Sequence, residues 1–152
     1  MDEEQLPEGV HADYANEDVR AALAAFTATP DYPHLAAFLT ALREGYLVVD
    51  VSGTSGKKRG ARVRTIRSTS GKLVLPIFTS LAELREIVPA ERRAELQGAV
   101  LPARDALALI ASDRFVAAEF DKGSAALVLL RKYVTLAAGT DPITAESLEA
   151  MR

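Results

Sequence analysis

The stretch Gly71-Lys-Leu-Val-Leu-Pro-Ile-Phe-Thr-Ser-Leu-Ala-Glu-Leu84 carries both halves of the fold class in fourteen residues. Residues 72–78 are β-branched, aliphatic and aromatic, the composition of a strand. Pro76 is tolerated there only where its missing N–H faces no partner, or at a bulge. Ser80 and Glu83 then have the spacing of a capping box, which predicts a helix carrying Leu81, Leu84, Ile87 and Val88 until Pro89 stops it. A strand therefore runs directly into a capped helix.

Upstream, Tyr46-Leu-Val-Val-Asp-Val51 reads as a strand. Ala61, Val63 and Thr65 alternate with Arg62 and Arg64 as in a strand with one wet face. With residues 72–78 these predict a three-stranded meander. Two helices precede it. Asn16 caps the first, in which Val19, Leu23 and Phe26 share a face. Asp31 and Pro33 open the second, with Leu35, Phe38, Leu39 and Leu42 as its apolar stripe and Gly45 as a left-handed C-cap.

Downstream, residues 91–97 are polar and charged, a short exposed helical turn ended by Gly98. Pro102 starts a helix with Ala103, Leu107 and Ile110 on one side. Residues 115–120 and 125–130 form two strands about an Asp121-Lys-Gly-Ser124 turn, and Asp141-Pro142 begins a last helix over 143–151. The fold class is α+β: a mostly antiparallel sheet of about five strands, with an N-terminal helical hairpin and further helices packed on it. Residues 1–15 read as an acidic flexible arm and 16–152 as one domain.

Composition narrows the chemistry. The 152 residues contain no cysteine, which removes disulfides, thiolate metal sites and cysteine nucleophiles. Neither His11 nor His34 has a carboxylate or His partner at i+3 or i+4, so neither a metal site nor a Ser-His-Asp triad is expected from them. Gly53-Thr-Ser-Gly56-Lys57 has two residues between its glycines where a phosphate loop needs four, and it precedes a strand rather than a helix. The carboxylate pairs Glu91 with Glu95 and Asp113 with Glu119 read as surface salt-bridging groups. No cofactor is expected and no enzymatic activity. The acidic N-terminus lacks the apolar core of a secretory signal, and no apolar run approaches bilayer length, so a cytoplasmic protein without membrane contact is expected.

Charge is segregated although its sum is only −3. No acid lies between Asp50 and Glu83, where Lys57, Lys58, Arg59, Arg62, Arg64, Arg67 and Lys72 all fall; the first 18 residues hold seven acids and no Lys or Arg. Lys57, Lys58, Arg59, Arg62, Arg64 and Arg67 form the candidate partner-binding face. Its partner is a protein of acidic character, or, in a second reading, RNA or the ribosome. No aromatic residue interleaves these cations, which disfavours base stacking. A charge-guarded edge strand is the plain structural reading of the same residues.

Four segments occur in an order that resembles the N-terminal domain of the SseB family (enhanced serine sensitivity protein). They are Val19-Arg-Ala-Ala-Leu-Ala-Ala-Phe26 with Pro30; Phe38-Leu-Thr-Ala-Leu42 with Gly45-Tyr-Leu-Val-Val49; residues 71–80 with Leu81 and Leu84; and the looser tail from 104–109 to 115–130. Leu75-Pro-Ile-Phe-Thr-Ser80 is the most specific. The resemblance implies a small α+β domain of bacteria that acts through protein contacts without catalysis.

Overall fold

The computed structural model describes residues 14–50, 66–67, 71–88, 91, 98–112 and 114–151. In chain order the elements are α1 (Glu17–Ala28), α2 (Tyr32–Ala41), β1 (Tyr46–Asp50), β2 (Ile66–Arg67), β3 (Leu73–Ile77), α3 (Leu81–Ile87) and β4 (Gly98–Pro102). They continue with α4 (Ala103–Ala108), a 3-10 turn (Leu109–Ser112), β5 (Ala117–Phe120), β6 (Leu127–Leu130), α5 (Arg131–Ala138) and α6 (Ala145–Ala150).

The helix starts follow the side chains that cap them. Asn16 accepts from the Val19 N–H and Asp31 from the His34 N–H, each satisfying a donor the helix leaves unpaired. The apolar stripes they orient are buried: Val19 and Leu23 on α1, and Leu35, Phe38 and Leu39 on α2, with Leu42 beyond its end. Phe38 stands edge-on to Phe120 at 5.4 Å between centroids, and it stacks on Phe26. The two helices are thereby fastened to the core face of the sheet.

The α+β class holds, but the single sheet of about five mostly antiparallel strands does not. There are two sheets, β1-β4 and β2-β3-β5-β6. β1 pairs antiparallel with β4, Tyr46 opposite Pro102 and Asp50 opposite Gly98. It is therefore not the first strand of a meander. Among the described residues its backbone meets the larger sheet at the Val48–Phe78 bridge, whose residues exchange hydrogen bonds of 2.9 and 2.8 Å. β3 and β5 run parallel, which requires the long crossover through α3, β4 and α4. β2–β3 and β5–β6 are antiparallel.

Local chemistry explains each departure. β4 ends on a proline that closes the ladder and caps α4 without a side-chain bond, so a strand and a helix share that residue. α5 starts directly at the end of β6, its N-cap Leu130 supplying no capping side chain, and so escapes the usual start signals. The last helix is capped by Thr144 in a capping box with Ser147, not by Asp141-Pro142. Gly45 is left-handed (φ 75°), but it lies beyond the C-cap Leu42. Pro76 does not weaken the central ladder. The Asp121 N–H bonds to the Ile77 C=O, so the two-residue period turns the amide position of 76 away from β5.

The main core lies between the larger sheet and helices α1, α2, α4, α5 and α6. Leu75, Ile77, Ala118, Phe120 and Leu129 come from the sheet. A second cluster, Val48, Phe78, Leu81, Leu84 and Val100, packs α3 on the other face of β1. Burial on both faces explains why β1 reads as a continuous apolar run rather than an alternation.

Tyr14 and Ala15, at the end of the acidic arm, are tied to this frame. Ala15 bridges Ser80, and the Tyr14 hydroxyl donates to the Tyr46 C=O and accepts from its N–H.

Candidate functional site

The C-terminal ends of the parallel strands β3 and β5 lie side by side, and the polar residues that follow each strand meet there. Thr79 is fully buried and Asp121 is 3% exposed. Asp121 Oδ1 accepts from the Thr79 N–H at 2.8 Å, and Oδ2 accepts from Thr79 Oγ1 at 2.7 Å. The hydroxyl itself accepts from Arg20 Nη1 at 2.9 Å, and the same nitrogen lies 4.0 Å from Asp121 Oδ2. The result is a directed chain from Arg20 on α1, through Thr79, to a carboxylate closing β5.

The Glu83 carboxylate continues the network outward. It accepts from Arg20 Nη1 at 3.4 Å and from Ser124 Oγ at 2.8 Å. Ser80 caps α3 as its spacing predicts, accepting from the Glu83 N–H at 3.1 Å. The Glu83 carboxylate, which the capping-box reading would return to the cap, is turned into this cluster.

Asp121 holds its position through its own backbone. With φ at 52° it is left-handed, a conformation aspartate tolerates better than most residues. Its C=O accepts from the Ser124 and Ala126 N–H groups, both at 2.9 Å. The Asn16 N–H bonds to the Thr79 C=O at 2.8 Å, and its Nδ2 reaches the Glu44 and Tyr46 carbonyls at 3.0 Å. Every polar atom of Thr79 is thus committed, and no buried side-chain nitrogen or oxygen among the described residues lacks a partner. Chemically the network presents a half-exposed guanidinium and an exposed serine to solvent, with the threonine sealed behind them.

Burial pushes the Asp121 carboxyl up from the usual carboxylate range. The hydrogen bonds from the Thr79 side chain and backbone pull it down, Glu83 adds to the rise, and Arg20 opposes it. A folded pKa above the unfolded value means the native state binds this proton more tightly. The resulting stability is complete below about pH 4 and is lost as pH rises through the folded pKa. Urea titrations should therefore show the stability of wild type relative to Asp121→Asn increasing as pH is lowered from neutrality towards 4. A difference that is flat, or that grows with pH, would contradict the assignment.

The basic face expected from sequence is described at one position. Arg67 lies in β2, paired with Leu73 at the edge of the larger sheet. Lys57, Lys58, Arg59, Arg62 and Arg64 lie outside the described residues, as do the 53–57 loop, the strand expected at 61–65, Glu95, Asp113 and His11. The helical turn expected at 91–97 is outside them except for Glu91. His34 is a cap partner: its Nδ1 lies 2.6 Å from Asp31 Oδ1, and hydrogen bonds from His34 hold the Asp31 carboxyl below its usual range. Among the described residues no group of three or more His, Cys, Asp or Glu could hold a metal ion, and no helix is long and apolar enough to cross a membrane.

None of Arg20, Thr79, Glu83, Asp121 and Ser124 falls in a site that the sequence predicts. Arg20 sits on the polar side of an amphipathic helix, and Asp121 opens an ordinary turn. The parallel register of β3 and β5 sets Thr79 beside Asp121, and α1 lays Arg20 against both.

Comparison with curated proteins finds no match, and neither does comparison with solved structures. A family model described as the SseB protein N-terminal domain matches residues 19–135. That span runs from the first buried residue of α1 into α5, and includes Arg20, Thr79, Glu83, Asp121 and Ser124. The chain belongs to the SseB N-terminal domain family.

Proposed function

We propose that this domain is a non-catalytic protein-interaction module of the bacterial cytoplasm, which docks an acidic protein partner through the basic segment 57–67. The observation that carries the reading is the acid-free run between Asp50 and Glu83 with its seven cations, of which Arg67 lies in β2, an edge strand among the described residues. An edge position leaves one side of a strand open to a partner. Lysines supply point charges and arginines planar forks for carboxylates. The seven acids of residues 1–18 are an intramolecular competitor for the same cations.

The test is capture from nuclease-treated native lysate, followed by titration of the captured protein against wild type and the Arg62→Glu/Arg64→Glu variant. Affinity should fall about tenfold or more in the variant and should weaken with salt. Removing residues 1–13 should tighten binding. Equal affinity for the charge-reversed protein, with its fold retained, would refute the reading. Binding that disappears with nuclease, and falls with salt at about 0.7 log units per phosphate contact, would instead establish RNA as the partner.

A further inference from the structure

An open groove of about 500 Å³ lies along α2 and shares no residue with the Arg20–Thr79–Asp121 network. Its floor is Ala36, Ala37 and Ala41 of α2, and Ile143, from the segment before α6, adds an apolar wall. Thr40 also lines it, but its hydroxyl donates to the Ala36 C=O at 2.8 Å, so its polar end is committed to the helix. Alanines on this side of α2 are what leave the space.

Two carboxylates complete the lining, Asp18 and Glu44. Asn16 caps α1, whose first turn carries Asp18, and its Nδ2 reaches the Glu44 C=O at 3.0 Å. The start of α1 is thereby tied to the segment after α2, and both acids stand at one end of the groove. Among the described residues no Lys, Arg or His lines it, and neither acid has an ion-pair partner. The arginines of the same segments are turned elsewhere. Arg20 bonds to Thr79 and Glu83, and Arg43 donates to the Leu136 and Ala137 carbonyls at the end of α5.

An apolar floor that leads to two unpaired carboxylates is complementary to an aliphatic chain ending in a cation. Lysine and arginine have that build: their stems lie along apolar surface while the charged head projects beyond it. Asp18, Ala37, Thr40 and Glu44 are all exposed, so the groove covers a ligand from one side. A site for a free small molecule encloses about 70–90% of its ligand. A side chain delivered by a protein brings the missing cover with it. We propose that the groove seats a lysine or arginine side chain of a partner protein, its stem on Ala37 and Ala41 and its cation at Asp18 and Glu44. The sign of this site is opposite to that of segment 57–67, and the inference is independent of the basic-segment reading.

The test is an amide-shift titration of the whole chain with the peptide acetyl-Ala-Ala-Arg-Ala-Ala-amide, and with the same peptide carrying norleucine or glutamate in place of arginine. The arginine peptide should shift the Ala37, Thr40 and Ala41 amides with a dissociation constant of about 1 mM, while the other two should leave them in place. Binding should weaken as salt rises from about 20 mM to about 200 mM. Asp18→Asn/Glu44→Gln, which keeps the shape of both side chains, should bind about tenfold more weakly. Ala37→Leu, at an exposed helical position, should keep the fold and both acids but fill the groove, and should lose the shifts. If the leucine variant binds like wild type, charge alone attracts the peptide and the groove is not its seat. Norleucine binding as well as arginine, or the neutralised variant binding unchanged, would remove the role of the carboxylates and overturn the inference. Spermidine binding more tightly than the arginine peptide would assign the groove to a free amine and overturn the partner protein.

Discussion

Asp121→Ala should lower the unfolding free energy by about 3 kcal/mol, because it strands the N–H and hydroxyl of a residue that water cannot reach. Thr79 is fully buried, and both donors end on this one carboxylate. Alanine also tolerates the left-handed backbone at 121 less well than aspartate does. For a chain of 152 residues this corresponds to a fall in Tm of about 6–12 °C. Asp121→Asn keeps the shape, the backbone preference and one acceptor, and should cost about 1 kcal/mol. The decisive comparison is a double-mutant cycle. Once Asp121 is alanine, Thr79→Val removes a hydroxyl that has lost its acceptor, so the double variant should be more stable than the sum of the single losses implies, by at least about 0.5 kcal/mol. Strict additivity would mean that the two residues do not act as one unit.

That unit shows where sequence reasoning reaches and where it stops. The caps at Asn16, Asp31 and Ser80 are local: each side chain bonds an N–H three residues on, and each helix starts where its cap is legible. The apolar stripes of α1 and α2 are equally local, and their residues fill the core. Four strands are readable too, since residues 46–50, 73–77, 117–120 and 127–130 all lie within the expected spans, but the existence of β4 is not. Pairing was not. The partner of β1 is β4, about fifty residues away, and β4 is a five-residue run bounded by Gly98 and Pro102 that advertises a turn and a helix start. The parallel β3–β5 pair is likewise a property of the crossover and not of either strand. The polar cluster inherits that limit, since two of its members are set beside each other only by this pairing. The basic run needs no register, and was visible from composition alone.

The two edges of the larger sheet differ in the same terms. β2 continues a cationic run, while β6 is uncharged and aliphatic.

Gly45→Val should be at least as damaging as the loss of Asp121, although it adds atoms instead of removing a partner. Gly45 has φ at 75°, where an L side chain costs about 1–2 kcal/mol and a β-branched one more. A Cβ built there would lie 2.9 Å from Asn16 Nδ2 and 3.1 Å from the Tyr14 hydroxyl. Neither neighbour can simply step aside. The Asn16 amide holds the Glu44 and Tyr46 carbonyls, its Oδ1 caps α1, and the Tyr14 hydroxyl is shared with the Tyr46 backbone. Displacing Asn16 forfeits two hydrogen bonds and a cap, each worth about 1 kcal/mol. The expected total is about 4–5 kcal/mol, measured by urea unfolding. The two contributions can be separated with Gly45→Ala in an Asn16→Gly background. Removing the amide relieves the close contact but leaves the backbone strain, so alanine should cost less there than in the wild-type background. An equal cost in both would show that the left-handed conformation alone, and not the approach of Asn16, is what requires glycine at this turn.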